Sequence, residues 1–175
     1  MLLVDFQIRS LCESGMVSPF DEMLLNPASL DVRLGAVLLV ERVGCPELAP
    51  LDISSFDANR PFMLAPGAFC LAETVESFAL PVNVCAQFVL KSSRAREGID
   101  HHQAGWCDCG WGLEKRSVLT MELKNSRQHW PVAIWHGMKI GQMKFTRLSE
   151  PPVKSYAQVG RYNGDLGVTA SKGHL

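Results

Sequence analysis

The sequence predicts a mainly β fold, a barrel or sandwich of short strands with one short helix at its N-terminus. Turn-forming residues recur at close intervals after Gly15: Ser18-Pro19, Asn26-Pro27, Gly35, Pro46, Pro50, Pro61, Pro66-Gly67 and Pro81. The apolar segments between them are too short for the crossover helices of alternating βαβ units. A length of 175 residues suits one domain with its own hydrophobic core. The expected domain is 1–175, with an extended arm from about 151 that is rich in Gly, Ser, Lys and Tyr.

The elements follow in order. Asp5 is placed to N-cap a helix from Phe6 to Glu13, with Ile8, Leu11 and Cys12 on one face and Gly15 as its stop. Strands are expected over Val37–Val43, Phe69–Val75, Val84–Leu90, Val118–Leu123, Val132–Trp135 and Ile140–Phe145. The strand at 117–123 reads most clearly. With period two, Leu119, Met121 and Leu123 share one face, while Val118, Thr120 and Glu122 share the other. The pattern alone leaves open whether Glu122 faces bulk solvent or a pocket that would tune it as a general base.

Composition narrows the function classes. A formal net charge of -1 lacks the basic excess that binding to a nucleic-acid polymer or an anionic membrane normally demands. A small anion remains compatible, since a few Arg and Lys suffice for a triphosphate. No apolar run approaches the ~18 residues of a membrane span, and Met1 to Asp5 lacks the marks of a secretory signal. Four of the six cysteines lie in apolar or mixed segments, as free thiols do. The expected setting is the reducing cytoplasm.

Two stretches carry candidate chemistry. Lys91-Ser92-Ser93-Arg94-Ala95-Arg96 gathers cations and hydroxyls directly after an apolar strand, a composition that suits phosphate oxygens and equally suits a solvated turn. His101-His102-Gln103-Ala104-Gly105-Trp106-Cys107-Asp108-Cys109-Gly110-Trp111 invites a zinc hypothesis. Its spacing argues against one: no second ligand pair accompanies Cys107 and Cys109, and the H-x-E and P-C-x-x-C motifs of zinc nucleobase deaminases are absent. Gly105 and Gly110 instead suggest a turn that lets a ligand approach the backbone.

Taken in order, 26–35, 91–96, Ala104-Gly105-Trp106-Cys107-Asp108, Thr120-Met121-Glu122-Leu123 and Ile140-Gly141-Gln142-Met143-Lys144-Phe145 resemble the successive motifs of the dCTP deaminase family, which shares its fold with trimeric dUTPases. Pro66-Gly67 through Thr74 adds a further stretch. The resemblance implies a distorted β-barrel or jelly-roll subunit of the dUTPase-like kind, in a homotrimer with sites at subunit interfaces. It implies Glu122 as the carboxylate that activates water toward C4 of cytosine, with Ser92 and Arg96 in support. It further implies Asp108 beside the deoxyribose, Ala104 offering its backbone to the base, and Thr120 and Met121 lining it. Gln142, Tyr156 and Arg161 are implied at the triphosphate, and Lys91, Ser93, Trp111 and the tail's Asp165 are implied as further substrate-binding positions. Mg2+ enters with the triphosphate, and no catalytic zinc is implied. Three positions depart from the pattern: Lys91 stands for Arg, the interval before Ala104 is one residue short, and Asp165 stands for Gln. The expected activity is deamination of dCTP to dUTP and ammonia. The alternatives are a bifunctional enzyme giving dUMP, a dUTPase, and a nucleotide-binding protein without turnover. Action on dUTP and regulation by dTTP stay open.

Overall fold

A computed structural model describes residues 1–173, so the last two residues of the expected 1–175 domain lie outside the described residues. Helix α1 spans Asp5–Glu13 and packs Ile8 and Cys12 into the interior. The expected cap is corrected by one residue. Val4 is the extended flanking residue, while Asp5 sits in the first turn and accepts the Phe6 N–H at 2.8 Å. There its carboxylate meets the positive end of the helix dipole. Gly15, at φ +97°, ends the segment as expected.

The strands are short β1 (Val17–Ser18) and β2 (Leu25–Asn26), long β3 (Ser29–Arg42), and then β4 (Cys45–Asp52), β5 (Phe62–Leu64), β6 (Phe69–Phe78) and β7 (Val84–Leu90). Helix α2 (Ser92–Glu97) leads to β8 (Ile99–Asp100) and β9 (Trp106–Cys107), followed by β10 (Ser117–Asn125), β11 (Val132–Ile134), β12 (Lys139–Arg147) and a helical turn, α3 (Tyr156–Val159). The main sheet runs β8-β10-β6-β3-β12-β7-β9, with β1, β2 and β4 attached at its sides, and β5 pairs with β11 separately. The pairings are antiparallel, and the sheet curls into a half-barrel.

Two strand expectations need correction. β3 begins eight residues before Val37, because 29–34 already pairs with β2, β12 and β6, and it stops before Val43, which forms a two-residue turn with Gly44 at φ +79°. β4 contains Pro46 and Pro50, which read as breaks in the sequence; it pairs only with β3, and a strand with one free edge tolerates a missing N–H. The inner faces of the sheet supply the core: Leu30, Val32, Leu34 and Leu38 from β3 meet Phe88, Leu123, Ile140 and Phe145, all essentially without solvent contact. Each such side chain contributes about 1.5–3 kcal/mol through burial.

The segment from 151 carries no strand, but it is not a free arm. It doubles back onto β10, where the Val118 N–H donates to the Asp165 carbonyl at 2.8 Å and the Gly164 N–H donates to Ser117 Oγ at 2.8 Å.

Candidate active site

β10 alternates as its sequence demands. Ser117, Leu119, Met121, Leu123 and Asn125 are buried, while Val118, Thr120, Glu122 and Lys124 occupy the other, half-buried face. That second face, together with Phe69 and Leu71 of β6, floors a cavity of about 560 Å3. One wall is the chain from Ala104 through Trp106 and Asp108 to Trp111. The doubled-back tail supplies the roof through Tyr156, Tyr162, Asp165 and Thr169.

Local chain geometry explains how the wall reaches the cavity. His102 and Gln103, immediately before Ala104, adopt left-handed φ angles of 48° and 59°. The next residue, Gly105, lies against β7. The Phe88 N–H donates to its carbonyl at 2.7 Å, and a Cβ at 105 would stand 2.7 Å from the Phe88 carbonyl oxygen, so only glycine fits. Gly110, at φ +82°, then turns the chain after Asp108.

The three cavity carboxylates are held differently. Burial raises the pKa of Glu122 above its ordinary 4.5, and only the backbone N–H of Glu122 and the nearby charge of His102 oppose that rise. Asp108 is tethered: Trp106 Nε1 donates to its Oδ1 at 2.8 Å. Trp106 itself stands 58% exposed at the rim. A third carboxylate, Asp165, accepts Lys172 Nζ at 2.9 and 3.0 Å, which neutralises its charge.

The predicted residues divide into two groups. Glu122, Asp108, Ala104, Trp111, Thr120, Tyr156 and Asp165 line the cavity. The side chain of Met121, expected beside the base, lies in the core at 2% exposure. Ser92, Ser93 and Arg96 are exposed on α2 and do not reach the cavity. Lys91, expected to bind substrate, gives its ammonium to both oxygens of buried Asp31 at 2.7 and 2.8 Å. Gln142 stands opposite Asp31 across β12 and β3, and its Oε1 accepts the Ser29 hydroxyl at 2.8 Å. These five residues therefore gather around α2 and the β3–β12 pair. Arg161 is exposed on the tail, where its Nη1 donates to the Gly173 carbonyl at 2.8 Å.

The residues of the zinc hypothesis are engaged in packing. His101 stacks edge-on against Phe88 at 5.1 Å and His102 against Phe69 at 5.7 Å. Burial pushes the Cys107 thiol up to about 12. Sequence reasoning missed Trp106 as a site residue. The two-residue spacing from Trp106 to Asp108 was a usable signal, since such residues share a side of an extended chain.

The dCTP deaminase-like family (DCD) matches residues 2–148. The chain is 37% identical over 189 residues to a "dCTP deaminase, dUMP-forming" of Clavibacter michiganensis, covering 100% of this chain and 92% of the relative. A protein of the same name from Beutenbergia cavernae is 38% identical over 191 residues, covering 100% and 96%. The crystal structure of 2'-deoxycytidine 5'-triphosphate deaminase from Agrobacterium tumefaciens superposes with a TM-score of 0.64 at 23% identity. That alignment covers 82% of this chain and 47% of the other, and it shows the common fold.

Proposed function

The chain belongs to the dCTP deaminase-like family, and from that premise we propose that it converts dCTP to dUMP in two hydrolytic steps. The observation that carries this reading is the pair of carboxylates, Glu122 and Asp108, on the floor and wall of one cavity. The motifs led us to expect dUTP as the main product. The names of the full-length relatives favour the dUMP-forming alternative, and a second carboxylate in the cavity suits a second hydrolysis.

In the first step Glu122 takes a proton from a water that attacks C4 of cytosine, and the proton passes to N3. Collapse of the tetrahedral adduct then expels ammonia and leaves the uracil carbonyl. Partial burial suits Glu122 to both acts, because a raised pKa makes it a better proton acceptor at neutral pH and lets it return the proton. In the second step Asp108 orients another water toward the α-phosphorus of dUTP, and diphosphate leaves. The Trp106 indole occupies Oδ1, leaving Oδ2 to hold that water or the sugar hydroxyl. The balance is dCTP plus two waters giving dUMP, ammonia and diphosphate.

Phosphate recognition needs more cations than the cavity holds. Ser92, Ser93 and Arg96 are proposed to come from a neighbouring subunit of a homotrimer, with Gln142 behind them and Arg161 from the tail. Lys91 is proposed to act indirectly by fixing the start of α2 through Asp31. Mg2+ is proposed to arrive with the triphosphate, and the hard oxygens of Asp108 and Asp165 fit its donor preference.

Incubation with dCTP and Mg2+, followed by separation of nucleotides, tests the reading. Ammonia and diphosphate should appear in equal amounts with dUMP. Ammonia and dUTP without diphosphate would restore the single-step activity, and tight binding without any product would leave a nucleotide-binding protein.

A further inference from the structure

The sheet face beneath the tail holds a pair of side chains that the two hydrolytic steps do not use together. Glu73 of β6 and Thr120 of β10 stand directly opposite each other across the antiparallel ladder. Glu73 Oε2 accepts the Val168 N–H at 2.8 Å, and Thr120 Oγ1 accepts the Thr169 N–H at 3.1 Å. Successive N–H groups of an extended chain point to opposite sides, so catching two in a row requires a bend. The bend is present: the Thr169 hydroxyl donates back to the Gly167 carbonyl at 3.0 Å.

The carboxylate is also braced from behind. The β3–β6 ladder is interrupted between Leu34 and Leu38, and there Glu73 Oε1 accepts the Val37 N–H at 3.2 Å. Gly35 makes room for this, because a Cβ at 35 would lie 2.3 Å from Glu73 Cγ. One oxygen thus anchors Glu73 to the bulge while the other is presented to the tail. Glu73 does not line the cavity, whereas Asp165, Thr169 and Ser171 of the tail do.

We propose that Glu73 and Thr120 form a clip that seats the 164–171 segment as the roof of the cavity, with Glu73 acting as a positioning residue for nucleotide binding. The proposal rests on the reading of this cavity as the nucleotide site. Glu73 holds the backbone, so the tail's side chains are free to meet substrate. Loss of the clip lets the roof lift without disturbing Glu122 or Asp108.

Hydrogen exchange and steady-state kinetics on the full chain test it with three variants. Glu73→Ala should speed exchange of the Val168 and Thr169 amides by roughly tenfold or more, the scale of a lost hydrogen bond to a charged acceptor, and leave the amides of 119–123 protected. The KM for dCTP should rise by about tenfold with kcat within about threefold, as for a lost binding contact. Glu73→Gln keeps an acceptor oxygen and should restore most of both. Val168→Pro removes the donor from the tail side without touching the sheet, and its effect on KM should not add to that of Glu73→Ala. Unchanged tail exchange in Glu73→Ala, or additive effects of Glu73→Ala and Val168→Pro, would overturn the clip and leave Glu73 as a brace for β3. The exchange arm needs no nucleotide. A wild-type chain that neither binds nor turns over dCTP, yet shows the Glu73-dependent protection, therefore overturns the functional reading and upholds the clip's structure.

Discussion

A carboxylate that serves as a base in a half-buried site carries its environment into the pH profile. Burial raises the Glu122 pKa above 4.5, so the acid limb of kcat/KM should fall above the ordinary carboxylate range. Glu122→Gln should lower deamination by at least ~10²-fold while nucleotide binding persists, because the exchanged amide cannot accept the water's proton. Turnover within a few-fold of wild type would return Glu122 to a plain strand residue. Stability should move with the same group. The folded chain holds this proton to higher pH than the unfolded chain does, so Glu122's contribution is complete below 4.5 and is lost as pH rises through its raised value. Trp106 provides the second test at this scale. Trp106→Phe keeps the ring at the rim but removes the N–H that tethers Asp108. Diphosphate release should fall relative to ammonia release, with dUTP accumulating, whereas an unchanged product ratio would mean that the tether does not place the second water.

Elements differ in how openly the sequence declares them. β10 was legible because its inner and outer faces have different jobs, and period two therefore survives in the residues from Val118 to Glu122. β4 was hidden because its prolines are harmless on a free edge, and the start of β3 was hidden among residues that read as a motif. Glu73 was beyond reach of local reading for a different reason: its partners Val37 and Val168 lie 36 and 95 residues away in the chain. The cavity's floor and wall were thus foreseeable from motifs, whereas the seating of its roof depends on pairings that no window of sequence contains. The β3 bulge supports a prediction at this scale. Gly35 has no left-handed φ, so alanine is conformationally acceptable there and only space decides. With Glu73 Cγ at 2.3 Å and the Glu73 carbonyl oxygen at 3.0 Å from the added Cβ, β6 or β3 must shift. Gly35→Ala should cost about 1–3 kcal/mol in urea unfolding, the usual penalty of overpacking. A neutral result would show that the bulge relaxes freely.

At the scale of the whole molecule, the division of the predicted residues is itself informative. Glu122 and Asp108 line the cavity, while Ser92, Ser93 and Arg96 stand exposed on α2, away from it. Under the proposed function each chain supplies two incomplete parts of a site, and the closed rotational symmetry of the proposed homotrimer would let each part meet its complement on a neighbour. With a chain mass of 19.3 kDa, sedimentation equilibrium should return three times that value, about 58 kDa. Mass alone does not show that the site is shared, but mixing defective chains does. Glu122→Gln and Arg96→Ala should each be nearly inactive as pure trimers. In trimers co-expressed from both genes, a site is intact when its Glu122 comes from an Arg96→Ala chain and its Arg96 from a Glu122→Gln chain. Random assembly gives each condition a probability of one half, so about a quarter of wild-type activity should return in a trimer with shared sites. If Arg96 instead served the cavity of its own chain, no mixture would contain a complete site, and activity would stay at the level of the parents. Recovery near a quarter thus supports a trans site, and none would assign α2 to its own cavity through a movement of the 91–98 segment.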